Sequence, residues 1–339
     1  MANTVSLPKI IFGTSSLGNL YTALDESVKQ EIVKEIIENS PKPAVFDSAG
    51  KYGAGLALES LGNALNALGV SKHDVIISNK LGWYRTELTT PEPTFEPGVW
   101  RDLKYDAVQK ISYEGILECY EQGNQLLNGY DAQLVSVHDP DEYLAAAETE
   151  ADREKRYQDI LNAYRALFEL KQQGKVLAVG VGAKDWKSIQ KITNDVPLDW
   201  VMIANSMTVH SHPADLLAYM QSLKDKGVLI LNSAVFNGGF LMGGEYYNYK
   251  EVDPNNEHDK ALLTWREKFF ALCNQYKIRP AEAAVQFGLN APGVTSIALS
   301  TTNAKRVKGN IDMASVKVPA AFWEDMKKQG LMSAEIENL

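Results

Sequence analysis

Asp47, Tyr52, Lys80 and His138 are the residues whose types and spacing could do chemistry together. Three of them close successive apolar runs, Ala44–Asp47, Val75–Lys80 and Ala132–His138, and Tyr52 follows Asp47 by five positions in Asp-Ser-Ala-Gly-Lys-Tyr-Gly. A tyrosine hydroxyl, with a pKa of about 10, is a poor acid or base near neutrality. A lysine ammonium beside it stabilises the phenolate and lowers that value. Asp47 would hold the lysine charged and in place, and His138 would donate a hydrogen bond to a substrate oxygen. Such a set passes a proton to or from an oxygen while a cofactor moves a hydride. Taken singly, each residue has a plainer use: an Asp after a strand caps the next helix, a Lys there is solvated, and a His there is hydrogen-bonded scaffold. Four together at successive run ends favour the joint use.

To face one another, these residues must sit at one end of a set of parallel strands. Short Val/Ile/Leu-rich runs without alternation recur at Lys9–Gly13, Ala44–Asp47, Val75–Lys80, Ala132–His138, Val176–Gly182, Trp200–Asn205, Val228–Ser233 and Ser296–Ser300. Such runs suit strands buried on both faces. Helical periodicity predicts helices over Ser27–Asn39, Leu56–Leu68, Ser112–Leu127, Tyr157–Gln173, Trp186–Thr193, Asp215–Asp225, His258–Tyr276 and Asn303–Ile311. Gly69, Gly174 and Gly227 stand where C-terminal caps belong. Eight strands alternating with eight helices predict an α/β fold, a (β/α)8 TIM barrel. A doubly wound open sheet is the alternative, but no Gly-x-Gly-x-x-Gly opens a helix after the first strand. Three long segments, 82–111, 139–156 and 237–257, predict long βα loops at the C-terminal face, the rim of a barrel's active site. The first carries Trp83, Tyr84, Phe95, Trp100 and Tyr105. Trp83 and Tyr84, beside a strand end, are expected to form a pocket wall for a sugar, whose C–H face packs on rings.

The chain of 339 residues admits one large domain or two at about 150 residues each. With no repeat, linker or low-complexity tract, residues 1–339 read as a single barrel domain. The formal charge of −9, from 34 Lys+Arg against 43 Asp+Glu, argues against nucleic acid and anionic membranes as partners. Only Cys119 and Cys273 are present, with no Cys-x-x-Cys pattern. Reduced thiols, and an N-terminus without the features of a signal peptide, predict a cytoplasmic protein. No run reaches the roughly 20 apolar residues of a membrane span. His210 and His212 lack a third ligand at workable spacing, so no metal is expected. Asp139, Asp141 and Glu142 raise the possibility of glycoside hydrolysis, but strands four and seven end in His138 and Ser233. Asp139 and Asp141 read first as helix caps and second as contacts to substrate hydroxyls.

The four residues match, in order and strand position, the catalytic tetrad of the aldo-keto reductase superfamily, which the chain resembles over nearly its whole length. Within it, the chain is similar to L-fucose (D-threo-aldose) 1-dehydrogenases and their pyridoxal 4-dehydrogenase relatives. The similarity lies in Phe12-Gly13-Thr14-Ser15-Ser16-Leu17-Gly18-Asn19-Leu20, His138-Asp139-Pro140-Asp141, Lys104-Tyr105-Asp106 and Ala284-Val285-Gln286-Phe287. The resemblance implies an NAD(P)-dependent oxidoreductase without metal, acting on a small-molecule aldose or aldehyde as a monomer or small homo-oligomer. Tyr52 would carry the proton, Lys80 would depress its pKa, Asp47 would pair with Lys80, and His138 would orient the reacting oxygen. An aldose of the L-fucose, D-arabinose or L-galactose type would be oxidised at C1 to the aldonolactone, with Trp83, Tyr84, His138 and Asp139 facing the substrate. Pyridoxal or a simple aldehyde or ketone is the alternative substrate. A nucleotide-sensing subunit without turnover is the alternative of another class, against which the complete tetrad speaks.

At the cofactor, the resemblance implies Gly13, Thr14, Asn205, Ser233, Ser300, Lys305, Arg306 and Asn310. Gly182-Ala183 stand where the family commonly has Ser-Asn, and Asn205 stands where it often has a Gln reaching the carboxamide. Ser233 replaces a ring-stacking Tyr, and Leu299-Ser300 replace the Lys-Ser of NADP-dependent members. With that cation missing, NAD is favoured over NADP.

Overall fold

The computed structural model describes residues 5–248, 250–334 and 336. Eight parallel strands close into a barrel in chain order: β1 (Ile10–Gly13), β2 (Ala44–Ala49), β3 (Val75–Leu81), β6 (Leu134–His138), β7 (Ala178–Ala183), β8 (Trp200–Ala204), β9 (Leu229–Ser233) and β12 (Val294–Leu299). β12 returns to pair with β1, Ile10 facing Ile297. Every residue of β2, β6 and β7 is buried, which is why these runs are apolar without alternation. Barrel and strand order are those expected from the sequence.

Along each strand, alternate side chains point into the barrel or out to the helices. Ile11, Val45, Leu134, Ala178, Trp200, Met202 and Leu231 belong to the interior cluster. Trp200, 1% exposed, fills the space left by Gly180, where an added Cβ would lie 2.2 Å from the indole. Outward residues such as Phe12, Phe46 and Ile77 pack with α1 (Glu26–Asn39) and α2 (Leu56–Ala67). The far side holds α3 (Tyr113–Leu126), α4 (Pro140–Ala145), α5 (Glu150–Gln172), α6 (Trp186–Asp195) and α7 (Ala214–Asp225). It is completed by α8 (Glu257–Tyr276), α9 (Pro280–Asn290), α10 (Val307–Asp312) and α11 (Ala320–Lys328). Gly69, Gly174 and Gly227 close helices with positive φ, as their positions predict.

Several features depart from the sequence-based expectation, the unexpected helices α4 and α11 among them. α5 starts at Glu150, seven residues before the expected Tyr157, because Thr149 caps it and its first two turns, Glu-Ala-Asp-Arg-Glu-Lys-Arg, carry no apolar stripe. α9, which packs on β12, is not among the expected helices: Ala281, Ala283, Ala284, Val285, Phe287 and Gly288 are all buried, and its polar face is a narrow stripe of Glu282, Gln286 and Asn290. The expected helix at 303–311 is a 3₁₀ turn, Ala304–Arg306, running into the short α10. The segment 82–111 is not an open loop. It forms an antiparallel hairpin, β4 (Trp83–Glu87) with β5 (Tyr105–Gln109), and a small second pair, β10 (Tyr246–Tyr247) with β11 (Lys250–Glu251), lies in the third rim segment.

The hairpin and the segment between its strands fold back over the barrel mouth. Phe95, Trp100, Ala54 and Ala107 form a small core there, with Leu20, Tyr52 and Trp83 against it. Main-chain bonds fasten this rim to the β1–α1 connection: Tyr21 N donates to Val99 O at 2.9 Å and Arg101 N to Asn19 O at 3.0 Å. The C-terminal end of the barrel therefore has a structured wall on the β2–β3 side.

Candidate active site

Asp47 sits within β2, Lys80 within β3 and His138 at the end of β6, so the three neighbouring strands aim them at one mouth. Lys80 Nζ is 2.6 Å from Asp47 Oδ2 and 3.2 Å from the Ser48 carbonyl, with both charged side chains at most 5% exposed. Gly182 opposite leaves room for the lysine stem: a Cβ there would lie 3.1 Å from Lys80 Cδ. Lys80 Nζ is 4.8 Å from the centre of the Tyr52 ring, and the His138 ring meets Tyr52 edge-on at 5.7 Å. Trp100 packs on the other side of Tyr52 at 5.8 Å. The four residues predicted from the sequence are thus in one cluster.

The electrostatics follow from burial. Burial pushes the Lys80 ammonium down, but Asp47 and then Tyr52 outweigh it, so Lys80 stays charged above its ordinary range. Burial holds His138 well below its ordinary value, and the charges of Lys80, Lys51 and Lys184 add to the effect. His138 is therefore a neutral imidazole with one N–H. Its buried Nδ1 has no partner among the described residues, whereas Nε2 lies 3.5 Å from Asp139 Oδ2.

Lys80 lowers the Tyr52 pKa as expected, but the net shift is upward. Burial raises the phenol, and Lys80 opposes it only in part, so the pKa ends at about 12. Part of the ring faces the mouth, yet the packing of Trp100, His138 and Lys80 around it removes water from the anion. Tyr52 is a protonated acid at neutrality.

Two of the proposed substrate-facing residues part company. Trp83 faces the site, its ring 5.7 Å from Phe95 and 5.4 Å from Lys51 Nζ. Tyr84 lies on the opposite face of the hairpin, as strand alternation requires. It packs on the core beneath α3, with Lys110 Nζ 4.3 Å from its ring. The expected pocket role of Tyr84 is withdrawn.

Asp139 and Asp141 do not cap a helix with their side chains. Asp139 precedes α4 with φ 45°, and no cap hydrogen bond forms. The Asp141 carboxylate accepts from the backbone N–H groups of Lys184 at 3.1 Å and Asp185 at 2.8 Å, joining two rim loops. Lys51 was not singled out from the sequence, where a Lys in Ala-Gly-Lys-Tyr reads as a solvated turn residue. It is 4% exposed, with Nζ 2.7 Å from Glu96, 3.1 Å from Glu142 and 3.4 Å from Asp139. Burial lowers its ammonium and these three carboxylates raise it, with a net rise. Lys184 joins the same group by pairing with Glu142.

The residues expected at a cofactor lie on the β7–β12 side and around β1. Asn205 has φ 62° and is buried, with no partner for its Oδ1 among the described residues. An orphaned acceptor here fits a carboxamide NH2 group. Gly13 is pressed against Ser300, whose Oγ would lie 2.6 Å from an added Cβ and donates to Gly13 O at 3.1 Å. The Thr14 hydroxyl is engaged inward, donating to Ser48 Oγ at 2.8 Å, so it braces the Asp47 segment. Ser233 is part-buried at the end of β9, and its carbonyl accepts from Asn205 N at 3.2 Å. Lys305 and Arg306, with Val28, Glu31, Thr302 and Asn303, line a pocket of about 400 Å³. Asn310 is one turn further on, in α10, outside that lining. Leu299 is 3% exposed and packs outward with Phe12 in the helix layer. Leu299 therefore offers no cation to a cofactor phosphate. Glu31 is the acidic residue in the lining of the Lys305–Arg306 pocket.

A barrel whose strand ends gather Asp, Tyr, Lys and His around one mouth can be compared with known proteins. The aldo/keto reductase family model matches residues 9–329. The chain belongs to the aldo/keto reductase family. Among curated relatives, this aldo/keto reductase is 24% identical to pyridoxal 4-dehydrogenase of Microbacterium luteolum, over 95% of this chain and 93% of the relative. It is 22% identical to D-threo-aldose 1-dehydrogenase of a Pseudomonas species, over 97% and 95% of the two chains. It is also 22% identical to L-galactose dehydrogenase of Arabidopsis thaliana, over 88% and 82%. The fold superposes on an aldo-keto reductase from Bacillus halodurans in its holo form with a TM-score of 0.70 at 18% identity, covering 100% of this chain and 97% of the other. Glycerol dehydrogenase from Gluconobacter oxydans gives the same TM-score at 15% identity, covering 100% and 98%. Among the described residues of this aldo/keto reductase, no helix is long and apolar enough to cross a membrane and no group of three or more His, Cys, Asp or Glu is placed to hold a metal.

Proposed function

We propose that this aldo/keto reductase is an NAD(P)-dependent aldose 1-dehydrogenase, a single-domain cytoplasmic enzyme that oxidises a sugar of the L-fucose, D-arabinose or L-galactose type to its aldonolactone. The observation that carries the reading is the mouth itself: a neutral His138 and a protonatable Tyr52 meet beside carboxylates that can accept sugar hydroxyls. The sugar dehydrogenases among its relatives support the same substrate class. The two buried, unpaired cysteines fit a reducing compartment.

The nicotinamide cofactor, when bound, supplies the hydride acceptor. Asn205 Oδ1 would hold its carboxamide, and the Lys305–Arg306 pocket its adenosine end, with NAD preferred because Glu31 repels a further phosphate. His138 donates its Nε2 hydrogen to the oxygen on C1 and orients it. Tyr52 takes the hydroxyl proton from that oxygen as the C1–H bond breaks. Lys80, held by Asp47, stabilises the phenolate needed for that transfer. Trp83 and Trp100 wall the mouth and limit water at C1.

A panel of L-fucose, D-arabinose, L-galactose, pyridoxal and small aldehydes, each with NAD and NADP, tests the reading through the absorbance of the reduced nicotinamide. Fast oxidation of at least one of the three sugars is expected. Activity confined to pyridoxal, or to aldehyde reduction, overturns it.

A further inference from the structure

Asp139 occupies an unusual place. It follows His138 directly, and its backbone is in the left-handed region at φ 45°, which costs a non-glycine residue free energy unless the surroundings enforce it. The consequence of that twist is visible. The carboxylate turns into the mouth, with Oδ2 3.5 Å from His138 Nε2 and 3.4 Å from Lys51 Nζ. Lys184 Nζ stands 4.0 Å from the same oxygen. Because His138 is neutral, the contact with it is polar rather than ionic. All these contacts go to Oδ2; among the described residues no hydrogen bond reaches Oδ1. The residue is 8% exposed, at the mouth.

Lys51 is what makes this arrangement tenable. A carboxylate taken from water needs a compensating charge, and Lys51 is itself buried among Asp139, Glu142 of α4 and Glu96 of the rim hairpin. It joins three segments far apart in sequence and stands one residue before Tyr52. Its ammonium therefore sets the position of Asp139 relative to the proton-transfer pair.

We propose that Asp139, positioned by Lys51, is the specificity residue that accepts a hydrogen bond from a hydroxyl on the carbon next to the reacting carbon, so that the site selects vicinal diols and α-hydroxy carbonyl compounds. The geometry gives the reason. His138 Nε2 marks the place of the reacting oxygen, and Asp139 lies 3.5 Å from that nitrogen. The two oxygens of a vicinal diol lie about a hydrogen-bond length apart, so one can meet His138 while the other meets Asp139 Oδ1. A carboxylate only accepts hydrogen bonds; it rewards an O–H at that carbon and rejects a bare or anionic neighbour. This inference rests on the proposed roles of Tyr52 and His138, and it narrows the aldose reading to recognition of the C2 hydroxyl.

The test compares glyceraldehyde with propanal, both three-carbon aldehydes, in the reducing direction. The readout is the ratio of their kcat/KM values. Asp139→Asn, which keeps the side chain's size, and Asp139→Ala are each expected to lower that ratio roughly 10- to 100-fold, the range for losing a hydrogen bond to a charged group. Lys51→Gln is expected to lower the same ratio, and Lys51→Arg to retain most of it. A ratio unchanged in both Asp139 variants overturns the proposal, whether both rates fall together, as they would if Asp139 acted only through His138, or neither moves. The sugar panel reports separately: oxidation of sugars with an unchanged ratio defeats this inference alone, and a lowered ratio without sugar oxidation defeats the sugar reading alone.

Discussion

Replacing Lys80 by Met removes one charge from the centre of the site while keeping much of the side-chain volume. At an effective dielectric constant of about 20, a unit charge 4.8 Å from the ring centre is worth roughly 3.5 kcal/mol to a phenolate charge taken as spread over the ring. At about 1.36 kcal/mol per pKa unit, that raises the Tyr52 phenol by roughly 2.5 beyond its already elevated value. The fraction of phenolate available at a given pH falls by the same factor, so kcat/KM for oxidation should drop about 10²- to 10³-fold. The variant also leaves Asp47 buried without its partner 2.6 Å away, a loss of about 3–5 kcal/mol in stability. The two effects are separable. In the double variant Asp47→Asn/Lys80→Met no uncompensated charge remains, so the melting temperature should recover toward wild type while activity stays low. Steady-state oxidation assays and thermal melts on the two variants and wild type decide the matter. Turnover within a few-fold of wild type in Lys80→Met, or recovery of activity along with stability in the double variant, would refute the reasoning.

Two further outcomes follow from the same charges. Because burial raises Tyr52, kcat/KM for oxidation should climb with pH through the neutral range without levelling below pH 8, whereas His138, already neutral, should add no break near its ordinary value of about 6.5; a pH–rate profile that is flat above pH 7, or that falls as pH drops through 6.5 during aldehyde reduction, contradicts this. Glu31→Lys should raise affinity for NADP relative to NAD about two- to five-fold, as expected for one exposed charge, read by quenching of protein fluorescence on titration with each nucleotide; an unchanged ratio removes Glu31 from the account.

The barrel was legible because parallel strands buried on both faces leave uninterrupted apolar runs, and β1, β2, β3, β6, β7, β8, β9 and β12 each leave one. The tetrad was legible because Asp47, Lys80 and His138 stand at or near the ends of adjacent strands. Lys51 was not, because its burial depends on Glu96, Asp139 and Glu142, which lie 45, 88 and 91 residues away in rim segments whose paths no local pattern predicts. Tyr84 was misplaced for a related reason: once the segment after β3 is a strand instead of a loop, two adjacent aromatics must face opposite ways. The net rise in the Tyr52 pKa was hidden too, since the sequence shows that a lysine is near but not how thoroughly the phenol is desolvated.

The central claim is that Tyr52 carries the proton. Tyr52→Phe keeps the ring that packs against Trp100 and His138 and removes only the hydroxyl. The measurement is kcat with the best sugar of the panel, alongside the dissociation constant for NAD from fluorescence titration. The account predicts kcat reduced by about 10² or more, with NAD binding unchanged; turnover that survives the loss of the hydroxyl while the cofactor still binds would contradict it.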